Sequence, residues 1–148
     1  MKTELENSIL FRVNRVANLL NTSFNHKLQD YDIAIEQRIT LEFIKNMQSV
    51  SQTKIADVLV KDKTTISRTL RALESKGYIK RDEKVVDKRT NLIKLTNLGE
   101  KVLENSSKTV KSFRSKISSE LTNDEKIQLF ELLDKVIKPV KEEDEKSN

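Results

Sequence analysis

The 148-residue sequence contains no cysteine and no tryptophan, one proline and two glycines. Without thiols it can form no disulfide, no thiolate metal site and no thiol-based redox switch. So little proline and glycine leaves few places where a helix must stop, which favours a mainly α globule. There is one histidine, and His26 is read as a solvated residue, not a metal ligand. No run of about 18 apolar residues could span a bilayer, and the opening Met1-Lys2-Thr3-Glu4 lacks the apolar core of a secretion signal; a cytoplasmic protein without membrane association is expected. Neither a paired-carboxylate arrangement nor a glycine-rich phosphate loop is present, so no catalytic set and no cofactor are expected, and the chain does not read as an enzyme.

What the sequence has in quantity is charge, 34% of residues, with a net of +5. That net value alone is common on solvated surfaces. Its distribution says more: residues 51–96 hold twelve Lys or Arg against six Asp or Glu, so this stretch carries +6 and the other 102 residues carry −1. A local excess of this kind is the footprint of a surface that meets nucleic acid.

The apolar periodicity predicts six helices and one hairpin. Ile9, Val13, Val16, Leu20, Phe24 and Leu28 define one face of a long first helix over Leu5 to Leu28, serving either a core within the chain or an interface shared with a second chain. A second helix is expected over Glu36 to Met47 with Ile39, Phe43 and Met47 on one side, followed by a break at Ser49-Val50. Ser51 suits the N-cap of a short third helix with Ile55, Val58 and Leu59 inward and the small Ala56 admitting a close neighbour; Asp62 suits the N-cap of a fourth.

In the fourth helix Ile66, Leu70 and Leu73 form a narrow apolar stripe, and Thr64, Ser67, Arg68, Arg71 and Ser75 share the opposite face. Gly77 should end it in the left-handed conformation, with Tyr78 packing back on Leu73. Strands are expected at Tyr78 to Lys84 and Asn91 to Leu95, joined by a basic tip without the residues of a tight two-residue turn. Thr96 should cap a fifth helix carrying apolar positions from Leu98 to Leu121. Thr122 with Glu125 has capping-box spacing and should open a sixth, with Pro139 near its end and Lys141 to Asn148 as a frayed tail.

Helices three and four form a helix-turn-helix, whose second helix normally enters the major groove. Thr64, Thr65, Ser67, Arg68 and Arg71 have the chemistry for it: arginine can fork onto guanine, and short hydroxyls reach phosphates or bases. The same residues would also suit a merely solvated helix face.

The hairpin tips the balance. Asp87-Lys88-Arg89-Thr90-Asn91-Leu92-Ile93-Lys94-Leu95-Thr96 followed by Gly99 fits Asp-x-Arg-x-x-x-Ile-x-Leu-Thr-x-x-Gly. Here the chain resembles the MarR family, the multiple-antibiotic-resistance regulators. Leu73-Glu74-Ser75-Lys76-Gly77-Tyr78-Ile79-Lys80-Arg81 and Ser51-Gln52-Thr53-Lys54-Ile55-Ala56 extend the resemblance. It implies a winged helix-turn-helix over residues 35–96, with a small β-hairpin wing, flanked by dimerisation helices at 1–34 and 97–148. It also implies that Arg89 reaches a minor groove and that Asp87 orients it; separately, losing Lys88 is expected to weaken binding uniformly across sequences. A narrow minor groove has the deepened negative potential to attract such an arginine. One departure stands out: the turn Leu59-Val60-Lys61-Asp62 lacks the glycine common in helix-turn-helix turns.

The reading is therefore a homodimeric, sequence-specific regulator of transcription. It would bind a pseudo-palindromic, double-stranded operator; the resemblance implies that it does so as a repressor relieved by a small aromatic or phenolic effector. The competing class is a helical interaction module whose basic face binds an acidic protein.

Overall fold

A computed structural model describes residues 3–82 and 91–148. Its α-helices are α1 (Ile9–Leu28), α2 (Ile35–Met47), α3 (Gln52–Leu59), α4 (Lys63–Ser75), α5 (Asn97–Ile117) and α6 (Asn123–Ser147). Three strands, β1 (Val50–Ser51), β2 (Ile79–Arg81) and β3 (Leu92–Leu95), form an antiparallel sheet in the order β1-β3-β2. The chain divides into two compact units, Met1–Thr109 and Val110–Asn148.

The capping residues expected from the sequence act as caps. The hydroxyl of Ser51 accepts from the Lys54 amide, Asp62 accepts from that of Thr65, and Thr96 accepts from that of Gly99. At α6, Thr122 and Glu125 exchange both bonds of a capping box. The end of α4 is a full Schellman stop: Gly77 has φ +78, its amide donates to Glu74 O, and the Tyr78 amide donates to Leu73 O, both at 2.9 Å.

In the first unit the core collects Leu41 and Ile44 of α2, Val50 of β1, Ile55 of α3, Ile66, Leu70 and Leu73 of α4, and Ile93 of β3. Val102 and Leu103 of α5 join it. Each such aliphatic side chain contributes about 1.5–3 kcal/mol relative to leaving it in water. Register supports this packing, since Ile93 of the central strand stands opposite Val50 on one side and Arg81 on the other.

Several expectations are corrected. Of the apolar stripe expected on α2, Phe43 packs at the core's edge but Ile39 and Met47 are exposed, whereas Ile35, Arg38, Thr40, Leu41 and Ile44 are buried. Val50 is not in a break but pairs with Ile93 as a strand too short to show alternation. Val58 is exposed, so α3 buries only Ile55 and Ala56, with Leu59 packed at the core's edge. On α1 only Phe24 and Leu28 are buried, while Ile9 and Val16 are 58% and 54% exposed.

In the second unit α5 ends at Ile117, before Leu121. Helix α6 continues through Pro139 to Ser147, so the expected frayed tail is helical.

The buried Arg38 has no sequence signal beyond its place on α2. Its Nε donates to the Ser106 hydroxyl at 2.9 Å, one terminal nitrogen to Leu103 O at 3.1 Å, and the other meets the Glu42 carboxylate. A buried guanidinium is tolerable only when its donors are satisfied in this way. The network fastens α2 to the first half of α5.

Candidate nucleic-acid interface

The surface of interest is built on α4, which buries Ile66, Leu70 and Leu73 and turns its polar side to solvent. Thr64, Arg68 and Arg71 are exposed and Ser67 is half-buried beside them. A terminal nitrogen of Arg71 lies 3.4 Å from the Ser67 hydroxyl, which steadies the arginine along the helix without consuming its remaining donors.

Thr65 stands apart. Its amide donates to one Asp62 oxygen at 2.7 Å and its hydroxyl to the other at 3.0 Å, so both are engaged in the cap. These bonds, from the Thr65 backbone first and its hydroxyl second, hold the Asp62 carboxyl below its ordinary range. The side chain is half-buried and faces a cavity of about 180 Å³, lined also by Asn21, Ile39, Thr40, Ile66 and Thr69. The structure thus brings Thr64, Ser67, Arg68 and Arg71 together and places Thr65 on the flank. Asp87, Lys88 and Arg89 lie outside the described residues.

The turn without glycine is solved by Val60, which takes the left-handed conformation at φ +51. Its amide and that of Lys61 both donate to Ala56 O, and Asp62 caps α4 two residues later. Beside this turn, an open groove is lined by Gln52, Thr53, Ala56, Asp57, Lys61, Asp62 and Lys63.

Sequence reasoning passes over exposed Lys54 and Lys63 at the first turns of α3 and α4, although the position of each soon after a cap residue is visible. At the base of the hairpin, Lys80 and Lys94 are register partners on one face. Of these four lysines, Lys94 approaches an acid, Asp82, at 3.7 Å. Like charges opposed across strands weaken a sheet, so such a pair is better accommodated where an anion can lie against it.

Among the described residues no cluster of three or more His, Cys, Asp or Glu could hold a metal ion, and no helix is long and apolar enough to cross a membrane. The surface offers arginine forks and hydroxyls on α4, with lysines on α3, α4, β2 and β3.

Comparison with known proteins agrees. A model of the MarR family matches residues 35–90. An HTH-type transcriptional regulator of Bacillus cereus is 33% identical over 131 residues, covering 88% of this chain and 87% of the relative. The HTH-type transcriptional regulator MgrA of Staphylococcus aureus is 30% identical over 146 residues, 96% of each chain.

Among solved structures, a MarR/EmrR family transcriptional regulator from Acinetobacter sp. ADP1 superposes with a TM-score of 0.85 at 29% identity, covering 95% of this chain and 99% of that one. MepR of S. aureus in a DNA complex gives 0.80 at 26% identity, covering 91% and 98%. A mutant MarR from E. coli complexed with operator DNA gives 0.71 at 28%, covering 86% and 95%. With the winged fold, the polar face of α4 and relatives alike over nearly the whole length, the chain belongs to the MarR family of transcriptional regulators.

Proposed function

We propose that the protein is a homodimeric repressor that binds a pseudo-palindromic double-stranded operator in the cytoplasm. The observation that carries this reading is α4 itself: one face buried against the core, the other presenting Thr64, Ser67, Arg68 and Arg71 together. Two such helices would enter successive major grooves about 34 Å apart. Arg68 and Arg71 would read bases, Thr64 and Ser67 would contact phosphates or bases, Thr65 would hold the cap at the flank, and Lys88 and Arg89 would add contacts from the wing with Asp87 orienting Arg89. Residues 35–96 would be the reading module, with 1–34 and 97–148 supplying the frame that pairs two copies.

A small aromatic or phenolic effector would relieve repression from the cavity behind α4. There Thr65, Ile66 and Thr69 of the reading helix meet Ile39 and Thr40 of α2. It would act only by binding the DNA-competent and DNA-incompetent arrangements unequally.

The test is a titration of the intergenic DNA next to the protein's own gene, at several salt concentrations, against a random duplex of equal length. Affinity should fall steeply with salt, because counterion release drives binding less as the bulk salt rises. Arg68→Ala or Arg71→Ala should cost about 1–3 kcal/mol on the specific duplex and much less on the random one. Equal losses on both duplexes would remove the base-reading role. No preference for any duplex, with retention on an acidic protein matrix, would favour the interaction-module alternative.

A further inference from the structure

One side chain ties the root of the wing to both helices of the reading head. Arg81 closes β2, opposite Ile93, and the next amide, that of Asp82, donates to Leu92 O at 2.8 Å. From there the Arg81 Nε donates to Glu74 Oε2, in the last turn of α4, at 3.2 Å. Both terminal nitrogens lie 3.5 Å from Gln52 Oε1, at the first residue of α3. Three elements therefore meet at a single guanidinium.

We propose that Arg81 is a positioning residue that sets the angle of the wing against the recognition helix, and so decides whether helix and wing can engage DNA at once. The inference rests on the reading of α4 and the wing as a joint DNA surface. Backbone pairing of β3 with β1 and β2 fixes register at the root of the hairpin but does not by itself fix the angle of the sheet against α4. A planar fork that holds α4 with one edge and α3 with the other removes that freedom, and a lysine could not grip both. Arg81 has a second effect: Glu74 stands one helical turn from Arg71, and its carboxylate would otherwise repel phosphates approaching that face.

The pair is partly exposed, with Arg81 at 30% and Glu74 at 47%, so its loss should barely move the melting temperature. This separates positioning from folding. The probe is a duplex selected from a random pool by the wild-type protein, and the variants are Arg81→Ala, Arg81→Lys, Arg89→Ala, the double variant Arg81→Ala/Arg89→Ala, and the exchange Arg81→Glu/Glu74→Arg.

Arg81→Ala should weaken binding about three- to tenfold, a span ordinary for residues coupled within one network. Hydroxyl-radical protection should be lost at the flanks of the site and kept at its centre. Arg81→Lys should recover only part of the loss and the charge exchange more of it. In the Arg89→Ala background, Arg81→Ala should cost little further, because the wing contact it positions is already gone.

Unchanged affinity and unchanged flank protection in Arg81→Ala would overturn the proposal. A full further loss in the Arg89→Ala background would overturn it too, since Arg81 would then touch DNA itself. If the wild-type protein selects no sequence from the pool, it is the underlying reading of α4 and wing that fails.

Discussion

Two glycines occupy the junction between reading helix and frame, and they are required for different reasons. Gly77 has φ +78, and a Cβ there would meet nothing nearer than Leu98 Cδ2 at 3.6 Å. Its cost on substitution is conformational, about 1–2 kcal/mol for a left-handed residue with a Cβ. Gly99 lies within α5 at an ordinary helical φ, but a Cβ there would stand 2.2 Å from the carbonyl oxygen of Tyr78. Backbone cannot yield as a flexible side chain can, so Gly99→Ala should lower the melting temperature more than Gly77→Ala. Thermal unfolding followed by circular dichroism checks the order, and the reverse order would show that α5 can slide away from Tyr78. The final glycine of the sequence motif thus has a steric cause that the sequence itself does not display.

The turn between α3 and α4 shows what a missing glycine costs. Val60 is β-branched, 80% exposed and left-handed, so it carries strain with little burial to offset it. Val60→Gly should raise stability by up to about 1 kcal/mol, the relieved strain being partly offset by the greater freedom of glycine in the unfolded chain. Urea unfolding measures this, and a loss of stability would mean that the valine methyls make a contact worth more than the strain.

Four helix starts were legible because each of their caps is a local chemical event. Ser51, Asp62, Thr96 and Thr122 bond to amides three residues on, and spacing alone discloses them. The faces were less legible. In α2 the true inward row includes Arg38 and Thr40, whose burial depends on Ser106 and Leu103 far along the chain and on the helix's own Glu36 carbonyl. Nor could periodicity find β1, two residues long and defined wholly by its pairing to β3.

Apolar side chains stay exposed along two of the helices. Ile9, Val13 and Val16 are exposed on α1, and Ile127, Phe130, Leu133 and Ile137 are exposed on α6. Apolar surface of this extent along a helix marks an interaction site. The choice offered by the sequence for α1, an internal core or a shared interface, is thereby narrowed, because the internal core takes only the C-terminal part of the helix.

If both faces serve self-association, Phe130→Glu or Val16→Glu should convert a dimer to a monomer in sedimentation equilibrium. Far-ultraviolet circular dichroism of the winged module should stay near native. A wild-type protein that sediments as a monomer at micromolar concentration, or variants that stay dimeric, would contradict this. The candidate reading residues of α4 were legible because exposed polar chemistry sits opposite a clean apolar stripe. The exclusion of Thr65 to the flank was not, since it follows from the cap geometry of Asp62.

Thr96 joins the end of the reading helix to the start of α5. Its hydroxyl donates to the carbonyl of Gly77 at 2.5 Å and accepts from the amide of Gly99 at 3.1 Å, while its own amide donates to Tyr78 O at 3.0 Å. The consequence is one of timing. The stop at Gly77 and Tyr78 that ends the reading helix and the first turn of α5 are tied together, because releasing either breaks bonds of the same residue. The two ends should open and close as one kinetic event, and solvent exchange of the Tyr78 and Gly99 amides should share a single clock.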